Sequence, residues 1–184
     1  MALGAVILVA LVATGACLVT FVTTGADPEV RVAFTAIEPG VPRFEPITNW
    51  GADDSQATYG IWIAQIPGTR TRAYLSREVN SGCHLTWEGT ERVGDVTGIF
   101  RDRCNGGAYD INGNALDGPT TRNLDQFPVD TSDGDIRVDF SVLQIGTCRV
   151  VAPISGELIC APEIGATTRT VPRNGNLPDD FARR

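Results

Sequence analysis

Lysine is absent from this 184-residue chain, so all fifteen of its basic side chains are arginine. Histidine occurs once, at His84, and methionine only at the first position. A single imidazole excludes any site built on two histidines. The chain also lacks a Gly-x-Ser-x-Gly elbow, a phosphate-binding loop and the ligand spacing of a zinc site, so no intrinsic catalysis is expected. Basic charge is scarce relative to acidic: 22 acidic residues stand against 15 basic ones, for a formal net charge of −7 and a pI near 4.6. That balance argues against nucleic acid or an anionic lipid surface as partner. It confers solubility, and it would also steer a basic soluble partner such as a cytochrome c. The all-arginine set fits the codon use of a GC-rich genome, although a preference for Arg at interfaces leads to the same composition. The acidic groups Asp53-Asp54, Asp133-Gly134-Asp135 and Asp179-Asp180 sit in turn-like sequence and read as solvated.

Charge is missing altogether from Ala2 to Thr24, a stretch dominated by Ala, Val, Leu and Ile. As a helix rising 1.5 Å per residue it would reach about 35 Å, slightly more than a hydrocarbon core of roughly 30 Å, so one membrane crossing is predicted. A cleaved secretory signal would carry a basic n-region and a shorter apolar run, and a lipoprotein signal ending at Cys17 would want an aliphatic residue where Thr14 stands. Gly4, Gly15 and Ala16 suit close helix packing, though small residues are common in membrane spans generally. No basic residue precedes the span and the first one after it is Arg31, so the positive-inside rule has almost nothing to count.

Four cysteines lie beyond the span, Cys83, Cys104, Cys148 and Cys160, and three pairings are open to them. Cys148 and Cys160 bracket a segment rich in Val, Ile and Leu that suits a hairpin. Two disulfides would place the domain in an oxidising compartment, a bacterial periplasm or its equivalent, with the inner membrane as anchor; free buried thiols in a cytoplasmic domain are the alternative.

Four regions follow: a transmembrane anchor over 1–24, an extended linker over 25–57, a β domain over 58–160 and a tail over 161–184. Pro28, Pro39, Pro42 and Pro46 stiffen the linker, and the alternation of Val30, Val32 and Phe34 suggests a first strand within it. From Tyr59 the pattern is β: Gly60–Ala64 and Arg72–Ser76 flank the turn residues Pro67-Gly68-Thr69. Later, Asn112-Gly113 and Asp133-Gly134 mark further turns, the second of them between Phe127-Pro128-Val129 and Ile136–Phe140. No segment outside the span has sustained helical periodicity, so the fold class is mainly β. The tail, rich in Pro, Gly and Arg, should be disordered alone; contact with another subunit, or packing on its own domain, would order it.

Two boxes stand out inside the β domain. The first is Glu78-Val79-Asn80-Ser81-Gly82-Cys83-His84-Leu85-Thr86-Trp87; the second, about twenty residues on, is Asp102-Arg103-Cys104-Asn105-Gly106-Gly107-Ala108-Tyr109-Asp110, followed by Gly118-Pro119, Leu124 and Phe127-Pro128-Val129. Over roughly Tyr59 to Asp139 the chain resembles a Rieske domain. In that family the first box is Cys-x-His-x-Gly-Cys followed by Leu-x-Trp, and the second is Cys-x-Cys-His-Gly-Gly or -Ser followed by Tyr/Phe-Asp. The resemblance implies stacked antiparallel sheets, with a smaller part inserted between strands of a larger base and packed by Trp87, Phe100 and Tyr109. It selects a Cys83–Cys104 disulfide between the loops and leaves Cys148 to Cys160.

The cluster ligands are what the chain lacks. Where the family has Cys, His, Cys and His, this sequence has Glu78, Asn80, Asp102 and Asn105. A Rieske centre needs two thiolates and two imidazoles, for which amides and carboxylates are no substitute, so no cofactor is expected. An oxygen set of this kind would suit Ca²⁺ or Mg²⁺; the plainer expectation is that hydrogen bonds with Arg101 and Arg103 fill the pocket. His84 neighbours Cys83 rather than occupying a ligand position, and a surface or packing role is expected.

The resemblance then implies a single-pass, cluster-free, non-catalytic accessory subunit. Its partners would be the integral membrane and haem-bearing subunits of an electron-transport complex: a quinol-cytochrome c reductase, a terminal oxidase, their supercomplex or a photosynthetic complex. The prolines before the domain favour a placed head over a swinging one. A redox protein with an unusual centre or a redox-active disulfide, and a transient assembly factor, are the alternative readings.

Overall fold

The computed structural model describes residues 29–33, 36–47, 50–53, 55–78, 80–120, 122–139, 141–147 and 168–170, and every regular strand or helix segment of length among them is a β-strand. No helix among the described residues is long and apolar enough to cross a membrane. The span expected over 1–24, the Cys148–Cys160 pairing and most of the 161–184 tail lie outside the described residues.

Among the described residues, thirteen short strands form three sheets, and every pairing is antiparallel. The central hairpin is β3 (Gly60–Gln65) with β4 (Thr71–Leu75), turned by Pro67-Gly68, where Gly68 has φ +72°. Strand β2 (Arg43–Pro46) flanks β3. On the other side, β9 (Gln126–Phe127), β12 (Val142–Gln144) and β13 (Thr168–Thr170) extend the sheet to six strands in the order β13-β12-β9-β4-β3-β2. A three-stranded sheet joins β1 (Glu29–Ala33), β11 (Asp135–Asp139) and β10 (Val129–Asp130). The third sheet is built from consecutive strands: β5 (Leu85–Val93), β6 (Val96–Asp102), β7 (Ala108–Tyr109) and β8 (Ala115–Asp117). Its whole length falls between β4 and β9, which pair with each other, so it is an insertion into the six-stranded sheet.

Period-two alternation explains how one hairpin serves two cores. Ile61 and Ile63 of β3 and Ala73 and Leu75 of β4 face one way, into a core with Trp50, Tyr59, Phe127, Ile136, Val138 and Leu143. Trp62 and Ala64 of β3 and Tyr74 of β4 face the other way and meet Leu85, Phe100, Tyr109 and Leu124 of the inserted part. Phe100 is the hub of that second core, with ring centroids 4.9 Å from Trp87, 5.6 Å from Trp62 and 5.7 Å from Tyr74. Edge-on aromatic pairs of this type contribute roughly 0.5–1.5 kcal/mol beyond their buried area.

The region expected as a linker over 25–57 supplies two strands of the sheets: β1 pairs with β11, and β2 pairs with β3. The alternation at Val30 and Val32 is the reason β1 was legible. Within the tail, Thr168–Thr170 pairs with β12 of its own chain, which corresponds to packing on its own domain for those three residues.

Candidate functional site

Two loops leave the inserted sheet side by side, and their backbones repeat one design. In the first, the Glu78 N–H donates to the Cys83 carbonyl (2.8 Å) and the Gly82 N–H to the Glu78 carbonyl (3.1 Å). In the second, the Asp102 N–H donates to the Gly107 carbonyl (2.8 Å) and the Gly106 N–H to the Asp102 carbonyl (2.8 Å). Gly82 and Gly106 take equivalent places with φ +73° and +78°, a region in which a side chain is strained. Each loop opens with a carboxylate that accepts a hydrogen bond from the backbone two residues on: Asn80 N–H to Glu78 Oε2 at 2.6 Å, and Cys104 N–H to Asp102 Oδ1 at 2.9 Å.

The Cys83–Cys104 disulfide ties the loops together, with Cα atoms 6.3 Å apart. A third segment presses on the second loop. A Cβ on Gly118, where φ is +82°, would stand 2.7 Å from the Gly106 carbonyl oxygen, and one on Gly107 would stand 2.9 Å from Thr120 Cγ2. The backbone approach at Gly118 admits only glycine, and a side chain at Gly107 would force Thr120 to shift.

Glu78, Asn80, Asp102 and Asn105 line one pocket, together with Gly107, Pro119 and Thr120, and the space among them admits no water-sized sphere. Glu78 and Asp102 are each 1% exposed and Thr120 is 3% exposed. The Glu78 carboxylate is well supplied with donors: Oε2 accepts from the Asn80 and Ser81 N–H groups, both at 2.6 Å, and Oε1 accepts from the Tyr109 hydroxyl and from Asn80 Nδ2 at 3.4 Å. Asn80 Nδ2 also reaches the Pro119 carbonyl at 3.1 Å, joining the first loop to the third segment. Burial, and then the Glu78 carboxylate beside it, push the Tyr109 phenol well above its ordinary range, so Tyr109 stays a donor. One oxygen, Asp102 Oδ2, is buried and has no hydrogen-bond partner.

The arginines expected to fill this pocket turn away from it. Arg101 pairs with Glu91 and donates to the Gly106 carbonyl (3.1 Å), while Arg103 pairs with Glu88. The reason is strand register: Thr86 pairs with Arg101 in the β5–β6 ladder, so both guanidinium groups lie against the acidic residues of β5. Tyr109 and backbone N–H groups do the filling instead. Nothing in the sequence distinguishes this hydroxyl from its ring, which the resemblance assigns to packing.

The donor set does not fit a [2Fe–2S] cluster. Cys83 and Cys104 are bonded to each other and offer no thiolate, although their sulfurs lie within 4.8 Å of an Asp102 oxygen. Nor does it fit a hard cation well, since the Glu78 oxygens are already occupied by hydrogen-bond donors. His84 is half-buried outside the pocket, edge-on to Phe44 at 4.9 Å, and burial pushes its pKa below 6.5 against the opposing charge of Asp53.

Two carboxylates take structural roles that the sequence does not announce. Asp53, expected in solvent, accepts from Ser55 N–H (2.9 Å), Ser55 Oγ (2.6 Å) and Ala57 N–H (3.0 Å), and its second oxygen takes the His84 N–H at 3.0 Å. Burial works against its ionisation, but these hydrogen bonds, led by that from the Ser55 hydroxyl, hold it below the ordinary carboxylate value. Asp125, 1% exposed, pairs with Arg122 at 2.8 Å and accepts the Gly146 N–H at 2.8 Å. An Asx-turn pattern at Asp53-x-Ser55 was a local signal for part of this; the link to His84, 31 residues away, had none.

No protein-family model matches the chain, and no curated protein matches it. Among solved structures, a chain of "Hyperthermophilic respiratory Complex III" aligns over 74% of this chain and 98% of that chain, with 19% sequence identity and a TM-score of 0.44.

Proposed function

We propose that this protein is a cluster-free, Rieske-like accessory subunit, without catalytic activity of its own, that binds and stabilises a membrane electron-transport complex. The observation that carries the reading is the pocket of Glu78, Asn80, Asp102 and Asn105 between two disulfide-linked loops of repeated design. The positions that would ligate a cluster converge, and buried hydrogen bonds and a disulfide take the place of metal coordination in holding the loops. The apolar segment over 2–24 anchors the chain in the bacterial inner membrane, and the disulfide is compatible with a head on the periplasmic side. Binding is then the mechanism: the head braces integral membrane and haem-bearing subunits of a quinol-cytochrome c reductase, a terminal oxidase or their assembly.

The competing reading, a redox-active disulfide, draws on the exposure of Cys104, because accessible disulfides are the more readily reduced ones. One experiment separates the two. The tagged protein is drawn from native membranes in mild detergent, its partners are identified by mass spectrometry, and the head is examined by low-temperature EPR and thiol trapping across a range of potentials. Stoichiometric haem-bearing partners, an EPR-silent head and a disulfide that stays oxidised at the poise of glutathione are the expected result. A Rieske-type signal, or a disulfide reduced at that poise, would overturn the accessory-subunit reading.

A further inference from the structure

A second cavity, of about 250 Å³, lies on the six-stranded sheet and is lined by Arg70 and Arg72, by the amides of Gln126 and Gln144, and by Phe127 and Pro128, with no carboxylate among its lining residues. Strand register assembles it. Tyr74 pairs with Gln126 and Gln126 with Gln144, which sets the two amides side by side, while Arg72 falls on the Tyr74 face two residues earlier along β4. Arg72 Nη1 donates to Gln126 Oε1 at 3.1 Å, which orients the guanidinium. Its Nε is buried and has no acceptor.

The lack of a carboxylate partner at Arg70 and Arg72 stands out in a chain with a net charge of −7. Arg43, Arg92, Arg101, Arg103, Arg122 and Arg137 each hold a carboxylate. Arg70 is exposed at the cavity, and neither it nor Arg72 forms an ion pair among the described residues. Two guanidinium groups with free donors, two amides and a partly apolar floor make a complementary surface for a planar or tetrahedral oxyanion, which accepts several charge-assisted hydrogen bonds at once.

We propose that this cavity binds a small oxyanion, the carboxylate or phosphate group of a small molecule, through Arg70 and Arg72 with Gln126 and Gln144 in support. The test is calorimetric titration of the full-length protein in detergent with inorganic phosphate and, separately, with succinate, at ionic strength held constant with sodium chloride. The parent protein should bind at least one of the two saturably, and whichever binds names the class. Arg70→Gln and Arg72→Gln should each weaken that binding by about tenfold or more, the worth of one charge-assisted hydrogen bond. Arg92→Gln, which removes the same charge at the distant β5–β6 turn, should leave it unchanged. Arg70 is exposed, so Arg70→Gln tests the site even if Arg72→Gln fails to fold. No saturable binding of either anion to the parent, or equal weakening in Arg92→Gln, would overturn the proposal.

Discussion

Tyr109 and Glu78 are a buried donor and acceptor, and the hydroxyl supplies one of the donors that Glu78 Oε1 accepts from. Tyr109→Phe keeps the ring in the second core but leaves Glu78 Oε1 with only the longer contact from Asn80 Nδ2. Leaving a buried polar group short of a partner costs about 1–3 kcal/mol, so urea unfolding should show a loss of that size with an unchanged far-UV CD spectrum. His84 supplies a pH dependence at the same scale. Its folded pKa lies below 6.5, so between those two values the unfolded chain binds the proton that the folded chain refuses. The stabilising contribution is complete well above pH 6.5 and declines as the pH falls through that value, levelling off once the folded state also protonates. Because the chain has one histidine, a single imidazole resonance reports the titration by NMR. The midpoint should lie under the ordinary value, and His84→Gln should flatten stability between pH 7.5 and 5.5. By contrast, the exposed Arg92–Asp95 pair should matter little, since pairs in solvent contribute about 0–1 kcal/mol.

At the scale of elements, turns and loops separate conformational demand from packing demand. Gly113 and Gly134 both have positive φ, +78° and +80°, at the turns before β8 and β11. A Cβ on Gly134 meets nothing within 4 Å, whereas one on Gly113 would stand 2.6 Å from Tyr74 Cε1, a ring that is itself fully buried. Gly134→Ala should therefore cost only the backbone strain, roughly 1–2 kcal/mol. Gly113→Ala should cost that plus about 1–3 kcal/mol of overpacking, and thermal or urea unfolding of the pair measures the difference. The Cys83–Cys104 bridge closes a loop with a separation of 21 residues. In the chain-entropy model such a loop contributes about 3 kcal/mol, so the Cys83→Ser, Cys104→Ser double variant should lose about that much, read from the shift of its urea midpoint.

For the whole molecule, the two cores share one hairpin. Ile61, Ile63, Ala73 and Leu75 serve one and Trp62, Ala64 and Tyr74 the other, so neither core can open without exposing strands that the other requires. Base and insertion should therefore unfold in one cooperative step, with far-UV CD and tryptophan fluorescence giving coincident transitions. Two separated transitions would show the inserted sheet to be an independent unit. The tryptophans are well placed to tell, since Trp50 packs in the first core at 5.6 Å from Phe127 and Trp62 and Trp87 pack in the second.

Features that depend on near neighbours along the chain are legible in the residues alone. Alternation located β1, β3, β4 and β11, and the Asn-Gly and Asp-Gly pairs located the turns at Asn112-Gly113 and Asp133-Gly134. Each follows from a period of two or from a turn's demand for positive φ. Which polar groups lose their water, and to whom they turn, follows from strand pairing. Register sent Arg101 and Arg103 to Glu91 and Glu88 and brought Tyr109 to Glu78. Chain reversal carried Asp53 to His84 and drew β1, β2 and β13 into sheets from regions that read as linker and tail. The cavity of Arg70, Arg72, Gln126 and Gln144 has the same origin, in three strands far apart in sequence. Hydrogen bonding and burial are set by distance in space, and residues tens of positions apart acquire that distance only when strands pair.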